Sequence, residues 1–115
     1  MATDKSFADF IVEQLTGAGQ IACRKMFGEY GVYCDGKIVA LLCDNRLFVK
    51  PTEAGRGFIG EVTLAPPYPG AKDYFLIEEQ IDDSDWLCRL VRASADQLPP
   101  PAPRKKKRGG TGKGQ

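Results

Sequence analysis

Between Ile21 and Lys50 short apolar runs are cut by two turn pairs, Asp35-Gly36 and Asp44-Asn45, and this punctuation limits the available folds more than any other feature. Asp, Asn and Gly tolerate the positive φ of a two-residue hairpin loop, so the segment reads as an antiparallel meander. Taking the pairs as loops sets the register. Cys34 then faces Lys37, Tyr33 faces Ile38 and Val32 faces Val39, while Cys43 faces Arg46, Leu42 faces Leu47 and Leu41 faces Phe48. Alternation gathers Tyr33, Ile38, Ala40, Leu42, Leu47 and Val49 on one face and Tyr30, Val32, Val39, Leu41 and Phe48 on the other. Both faces are apolar. A helix layer can bury one, and the second needs the rest of the chain or another subunit. Cys34 and Cys43 are not opposed, which argues against a disulfide between them.

Helical spacing flanks the meander. Phe7, Phe10, Ile11 and Leu15 recur at three- and four-residue intervals among polar residues, predicting a helix over about residues 4 to 16. Thr3, Asp4 or Ser6 can cap its start, and Gly17-Ala18-Gly19 suits a left-handed C-terminal cap. Pro51 to Lys72 is a Gly- and Pro-rich connection with room for one helical turn near Glu53 to Arg56, and Tyr74 to Ile77 is a further strand. Asp82-Asp83-Ser84-Asp85 offers N-caps to a closing helix that carries Trp86, Leu87, Leu90, Val91 and Leu98 on one face. On its other face Asp85 and Arg89, and Arg92 and Asp96, are spaced as i, i+4 ion pairs. The expected architecture is α+β: an antiparallel meander packed by N- and C-terminal helices, with Phe10, Leu41, Phe48, Phe75, Trp86 and Leu90 in the core. Pro99-Pro100-Pro101-Ala102-Pro103 ends it, because prolines stop a helix and favour an extended spacer. The chain divides into a folded unit at 1–98 and a tail at 99–115.

Several function classes lose their support in the residue inventory. The 115 residues contain no histidine, which removes the commonest general base and the commonest metal ligand together. The four cysteines, Cys23, Cys34, Cys43 and Cys88, stand singly, without the close pairing of a metal or redox motif. Gly17-x-Gly19-x-x-Ala22 and Gly55-x-Gly57-x-x-Gly60 match the dinucleotide-binding string. The first follows a helix and the second runs into prolines, so neither joins a strand to a helix N-terminus as that motif requires. Glu78 and Glu79 would point to opposite faces of a strand, and the aspartates at 82, 83 and 85 read as a helix cap. No apolar run approaches the roughly 20 residues of a membrane span. The N-terminus lacks the blocks of a secretory signal, so the cytoplasm is the expected compartment. No enzyme activity, cofactor or metal is expected.

Charge is unevenly placed. Ten of the sixteen basic residues and all fifteen acidic ones precede Arg104, so residues 1–103 carry −5 and residues 104–115 carry +6. Arg104, Lys105, Lys106, Lys107 and Arg108 form a cationic run that can displace counterions from a nucleic-acid backbone. The same run also reads as a solubilising end with no specific partner.

The stretch Arg24-Lys25-Met26-Phe27-Gly28-Glu29-Tyr30-Gly31-Val32-Tyr33-Cys34-Asp35-Gly36 resembles the opening of the N-terminal domain family of TfoX/Sxy, the bacterial competence regulators. The similarity continues through Ile38 to Cys43 and Asn45 to Lys50, and returns at Tyr74 to Leu98. It implies a compact α+β domain, related in shape to the type III secretion chaperone-like fold, with no catalytic residues. It also implies a regulatory or adaptor role in transcription, which in the full-length regulators accompanies a second, helical domain. A homodimeric protein-interaction or chaperone-like module is the alternative. Within the motif, Gly28 and Gly31 allow a bend or bulge before the meander, and Met26 and Phe27 are expected in the core.

Overall fold

Three two-residue turns have both residues at positive φ: Phe27 and Gly28 at 52° and 84°, Asp35 and Gly36 at 52° and 84°, and Asp44 and Asn45 at 54° and 57°. This is the turn whose twist matches that of paired strands. In the computed structural model, which describes residues 2–99, these turns link β1 (Ile21–Met26), β2 (Glu29–Cys34), β3 (Lys37–Cys43) and β4 (Arg46–Val49). A short β5 (Leu64–Ala65) and β6 (Tyr74–Ile77) complete an antiparallel six-stranded sheet in the order β1-β2-β3-β4-β6-β5. The fold is α+β, and both expected hairpin loops are where the turn pairs placed them. The chain enters the meander through a third tight turn at Phe27-Gly28.

The β3–β4 register holds throughout, with Leu41 opposite Phe48, Leu42 opposite Leu47 and Cys43 opposite Arg46. Between β2 and β3 it holds for Cys34 with Lys37 and Tyr33 with Ile38, and then slips, so that Val32 faces Ala40 and not Val39. The extra residue is a β-bulge, which lets neighbours on one strand lean to the same side. Val39 and Ala40 accordingly both join the core. The slip corrects the expected faces: Val32, Cys34, Val39, Ala40, Leu42, Leu47 and Val49 look toward the helices with Phe75 and Ile77. Tyr33, Ile38, Leu41, Cys43, Phe48 and Leu76 occupy the outer face by register. An apolar pattern on both faces hid the bulge, since the missing alternation gave no sign of a parity change.

Three helices cover the inner face: α1 (Lys5–Gln14), α2 (Glu53–Ile59) and α3 (Ser84–Gln97). The first is shorter than expected, ending at Leu15 before a 3-10 turn at Thr16–Ala18. The left-handed glycine is Gly19 (φ 147°) and not Gly17. A Cβ on Gly19 would lie 2.9 Å from Arg92 Nη1 and 3.1 Å from Cys34 Sγ, so close approach as well as φ demands glycine. Thr52 caps α2 by accepting from the Gly55 backbone N–H at 3.0 Å, and Asp83 caps α3 by accepting from that of Trp86 at 3.1 Å. On α3, Leu87, Leu90, Val91, Ser94 and Ala95 are buried. Each fully buried aliphatic or Phe side chain contributes about 1.5–3 kcal/mol relative to exposure. Phe48, Phe75 and Leu90 are fully buried as expected, while Phe10, Leu41 and Trp86 are only half-buried.

Arg92 does more than pair with Asp96 along the helix. Its Nη1 donates to Asp35 Oδ2 at 2.8 Å and to the Ala18 carbonyl at 2.9 Å, tying α3 to the second hairpin turn and to the 3-10 turn. Lys37 Nζ donates to the Ala95 carbonyl at 2.8 Å nearby. The C-terminal half of α3 therefore lies at the Asp35-Gly36 end of the sheet.

Candidate functional site

Among the described residues no helix covers the outer face of the sheet, and its two ends differ. Phe48 is fully buried there, with Arg46 stacked 5.3 Å from its ring centre. The connection between α2 and β6 supplies further cover: Pro67 is buried, and burial, then the neighbouring Tyr68 and Cys43, push the Tyr74 phenol pKa up. Thus the connection folds over part of the second apolar face. What it leaves open is a cleft of about 610 Å³ lined by Met26, Phe27, Glu29, Tyr30, Leu41, Cys43 and Tyr68. A smaller hollow of about 310 Å³ adjoins it, sharing Glu29 and Tyr68 and continuing along Asp44, Arg46 and the connection's prolines.

Phe27 corrects the sequence reading most sharply. Expected in the core, it is 104 % exposed, at φ 52° in the first turn. A bulky residue at positive φ is strained, and an exposed ring returns no burial energy to offset that strain. The tip that carries it is nonetheless tied down. Thr3 N–H donates to the Gly28 carbonyl at 3.2 Å, and Thr3 Oγ1 donates to Glu29 Oε1 at 2.6 Å. The same carboxylate oxygen accepts from the Asp44 backbone N–H at 3.2 Å, while Asn45 N–H donates to Thr3 Oγ1. Thr3, itself buried, thereby staples the first and third hairpin turns together. Phe27 and Tyr68, the latter 56 % exposed, are aromatic edges on a braced frame around an apolar floor. Phe-Gly is not a preferred turn pair, which concealed the turn; the even spacing of 27-28, 35-36 and 44-45 was the signal available.

Burial pushes the Cys43 thiol pKa up, keeping the one thiol of the cleft lining protonated at neutral pH. All four cysteines are free, and burial likewise raises Cys23 and Cys34. Among the described residues no three His, Cys, Asp or Glu side chains converge as a metal site would require, and no helix is long and apolar enough to cross a membrane. Gly55 and Gly57 lie inside α2, with Gly55 packed under Thr52, Ser94 and Phe75, so the string falls within a helix and not at a strand-to-helix turn. The candidate nucleic-acid residues Arg104, Lys105, Lys106, Lys107 and Arg108 lie outside the described residues. Of the cations on the sheet, Arg24 stacks 5.5 Å from the Tyr33 ring centre and Lys25 is exposed beside it.

Two sequence comparisons bear on the chain. An uncharacterized 12.7 kDa protein in the trpE 5′ region of Spirochaeta aurantia is 45 % identical over 107 residues, covering 93 % of each chain. The family model of the TfoX N-terminal domain matches residues 13–98, spanning the sheet, the cleft and the closing helix, and the chain belongs to that family.

Proposed function

We propose that this TfoX-type domain is a regulatory adaptor that acts by binding another protein, and that its contact surface is the outer-face cleft edged by Phe27 and Tyr68. The observation that carries the reading is Phe27: a fully exposed aromatic at positive φ on a braced turn gives the fold nothing and gives a partner a preset anchor. Family membership supports a regulatory role, and the protonated Cys43 thiol in the cleft favours binding over catalysis. The test is site-specific photo-crosslinking in the native cell. A photoreactive phenylalanine analogue at position 27 or 68 should yield discrete protein adducts that the same probe at exposed Glu13 on α1 does not. Equal labelling from all three positions would remove the cleft as the contact surface.

A second reading rests on the +6 tail and the −5 body. If Arg104 to Arg108 contact about five phosphates, the affinity for duplex DNA falls with salt at a log–log slope of roughly −4 to −5, with little sequence preference. Gel shifts with the full chain and with residues 104–115 removed test it. The acidic body repels the same polyanion, so truncation should abolish binding; binding that survives truncation unchanged would place the contact on the domain, with Arg24, Lys25 and Lys50 next in line.

A further inference from the structure

The meander leaves one long strand edge open. The sheet begins at β1, and its other margin is β5, only two residues long. Natural sheets blunt such edges with prolines, bulges or covering segments, because an unpaired row of N–H and C=O groups templates another strand. Among the described residues β1 has none of these: its six residues pair with β2 without a slip, none is proline, and no strand pairs with its far side. Asp35 N–H donates to the Gln20 carbonyl at 2.8 Å, which continues the same register and marks Gln20 and Asp35 as a bonded pair. Bonded pairs alternate along an antiparallel ladder. Ala22, Arg24 and Met26 therefore bond to β2, while Ile21, Cys23 and Lys25 turn their N–H and C=O groups to the open edge. Ile21 and Cys23 also pack against the core yet remain half-buried.

Register decides what fits this edge. Two antiparallel β1 strands related by a two-fold axis at Cys23 set Cys23 opposite Cys23, Ile21 opposite Lys25 and Ala22 opposite Arg24. All three outward residues then stand in bonded pairs. A shift by two residues one way carries Lys25 past the strand to Gly19, and the other way sets Arg24 against Arg24, where like charges repel. Arg24, the cation best placed to guard the edge, stacks 5.5 Å from the ring centre of Tyr33 on β2 and so leans away from it. The sequence beyond residue 99 is a poor rival for the edge. Its prolines bring no N–H to a ladder, and Arg104 to Arg108 in a strand there would set like charges beside Arg24 and Lys25. We infer that a second copy of this chain adds its β1 antiparallel to β1, so that one sheet runs through an isologous dimer. Lys25 in that arrangement lays its aliphatic stem along the half-buried Ile21 of the second copy. The inference stands apart from the cleft reading, and either can fail alone.

Sedimentation velocity on the full chain, from micromolar to millimolar, tests it. Wild type should dimerise as concentration rises. Cys23→Pro removes an N–H that β2 does not use, so the fold should survive by circular dichroism while the dimer is lost. Ala22, exposed and opposite Arg24 in the dimer, reads the register. Ala22→Glu should tighten association and Ala22→Arg should weaken it, the two dissociation constants differing by roughly fourfold or more because each change acts at two symmetry-related pairs. Removal of residues 104–115 should leave the dimer intact. A wild-type chain that stays monomeric throughout overturns the inference. So does a dimer that persists in a folded Cys23→Pro variant, and so does one that is lost with residues 104–115. Should Cys23→Pro unfold the chain, the Ala22 variants decide: equal dissociation constants, or a weaker dimer with glutamate than with arginine, overturn it.

Discussion

Replacing Phe27 with asparagine should stabilise the fold. The ring is 104 % exposed, so its removal forfeits no burial energy. The left-handed conformation costs an ordinary L-residue roughly 1–2 kcal/mol, and asparagine, whose short side chain bonds locally, escapes most of it. Asn-Gly is also the favoured pair for this turn. The bonds that brace the tip use the Gly28 carbonyl, Thr3 and the Glu29 carboxylate, none of which Phe27→Asn alters. The net gain should be about 1 kcal/mol, or a rise in Tm of roughly 4–8 °C for a domain of this size. Urea unfolding followed by the fluorescence of Trp86, the single tryptophan, reads it directly. Phe48→Ala is the contrasting control: that ring is fully buried, and its loss should destabilise by about 3–5 kcal/mol. If Phe27→Asn lowers stability, the ring packs on something in solution, and the argument that it is kept for a partner collapses.

Gly55→Ala would bring a Cβ to 2.9 Å from Thr52 Oγ1, 3.0 Å from Ser94 Oγ and 3.2 Å from Phe75, so overpacking between α2 and α3 should destabilise by about 1–3 kcal/mol in the same urea assay. Below neutral pH, Asp35 should contribute to acid sensitivity. The Gln20 backbone N–H, then the Arg92 guanidinium, hold its carboxyl below the ordinary 3.8, so the stability it confers is present above that value and lost as pH falls through its lowered pKa. Asp35→Asn should flatten that part of the stability–pH curve, and an unchanged curve would contradict the assignment. Thiol titration of the native protein should find Cys34 and Cys43 unreactive until the chain is unfolded, because burial both shields them and raises their pKa values; rapid labelling of either would be inconsistent with this packing.

The parts legible in the sequence were those set by local chemistry. Asp35-Gly36 and Asp44-Asn45 announce their loops because few other residue pairs accept positive φ, and the run Asp82-Asp83-Ser84-Asp85 announces the start of α3 because an N-terminal turn needs a side-chain acceptor, which Asp83 supplies. What stayed hidden depends on contacts distant in sequence. The bulge at Val39 leaves no mark when both faces are apolar, and the role of Arg92 as a tie to Asp35 and Ala18 is invisible to i, i+4 spacing. Phe27 was misread for a related reason. Hydrophobicity argued for the core, whereas the turn geometry that exposes it is imposed by strand pairing and by the Thr3 staple from the far end of α1. The cleft itself required knowing where the connection crosses the outer face, which composition alone does not reveal.

The central claim, that Phe27 serves a partner and not the fold, is tested most directly by isothermal titration of the protein recovered through position 27 against wild type and Phe27→Asn. Loss of an aromatic anchor should weaken binding by about thirtyfold or more, corresponding to roughly 2 kcal/mol, in a variant at least as stable as wild type. An affinity unchanged by Phe27→Asn would contradict the account.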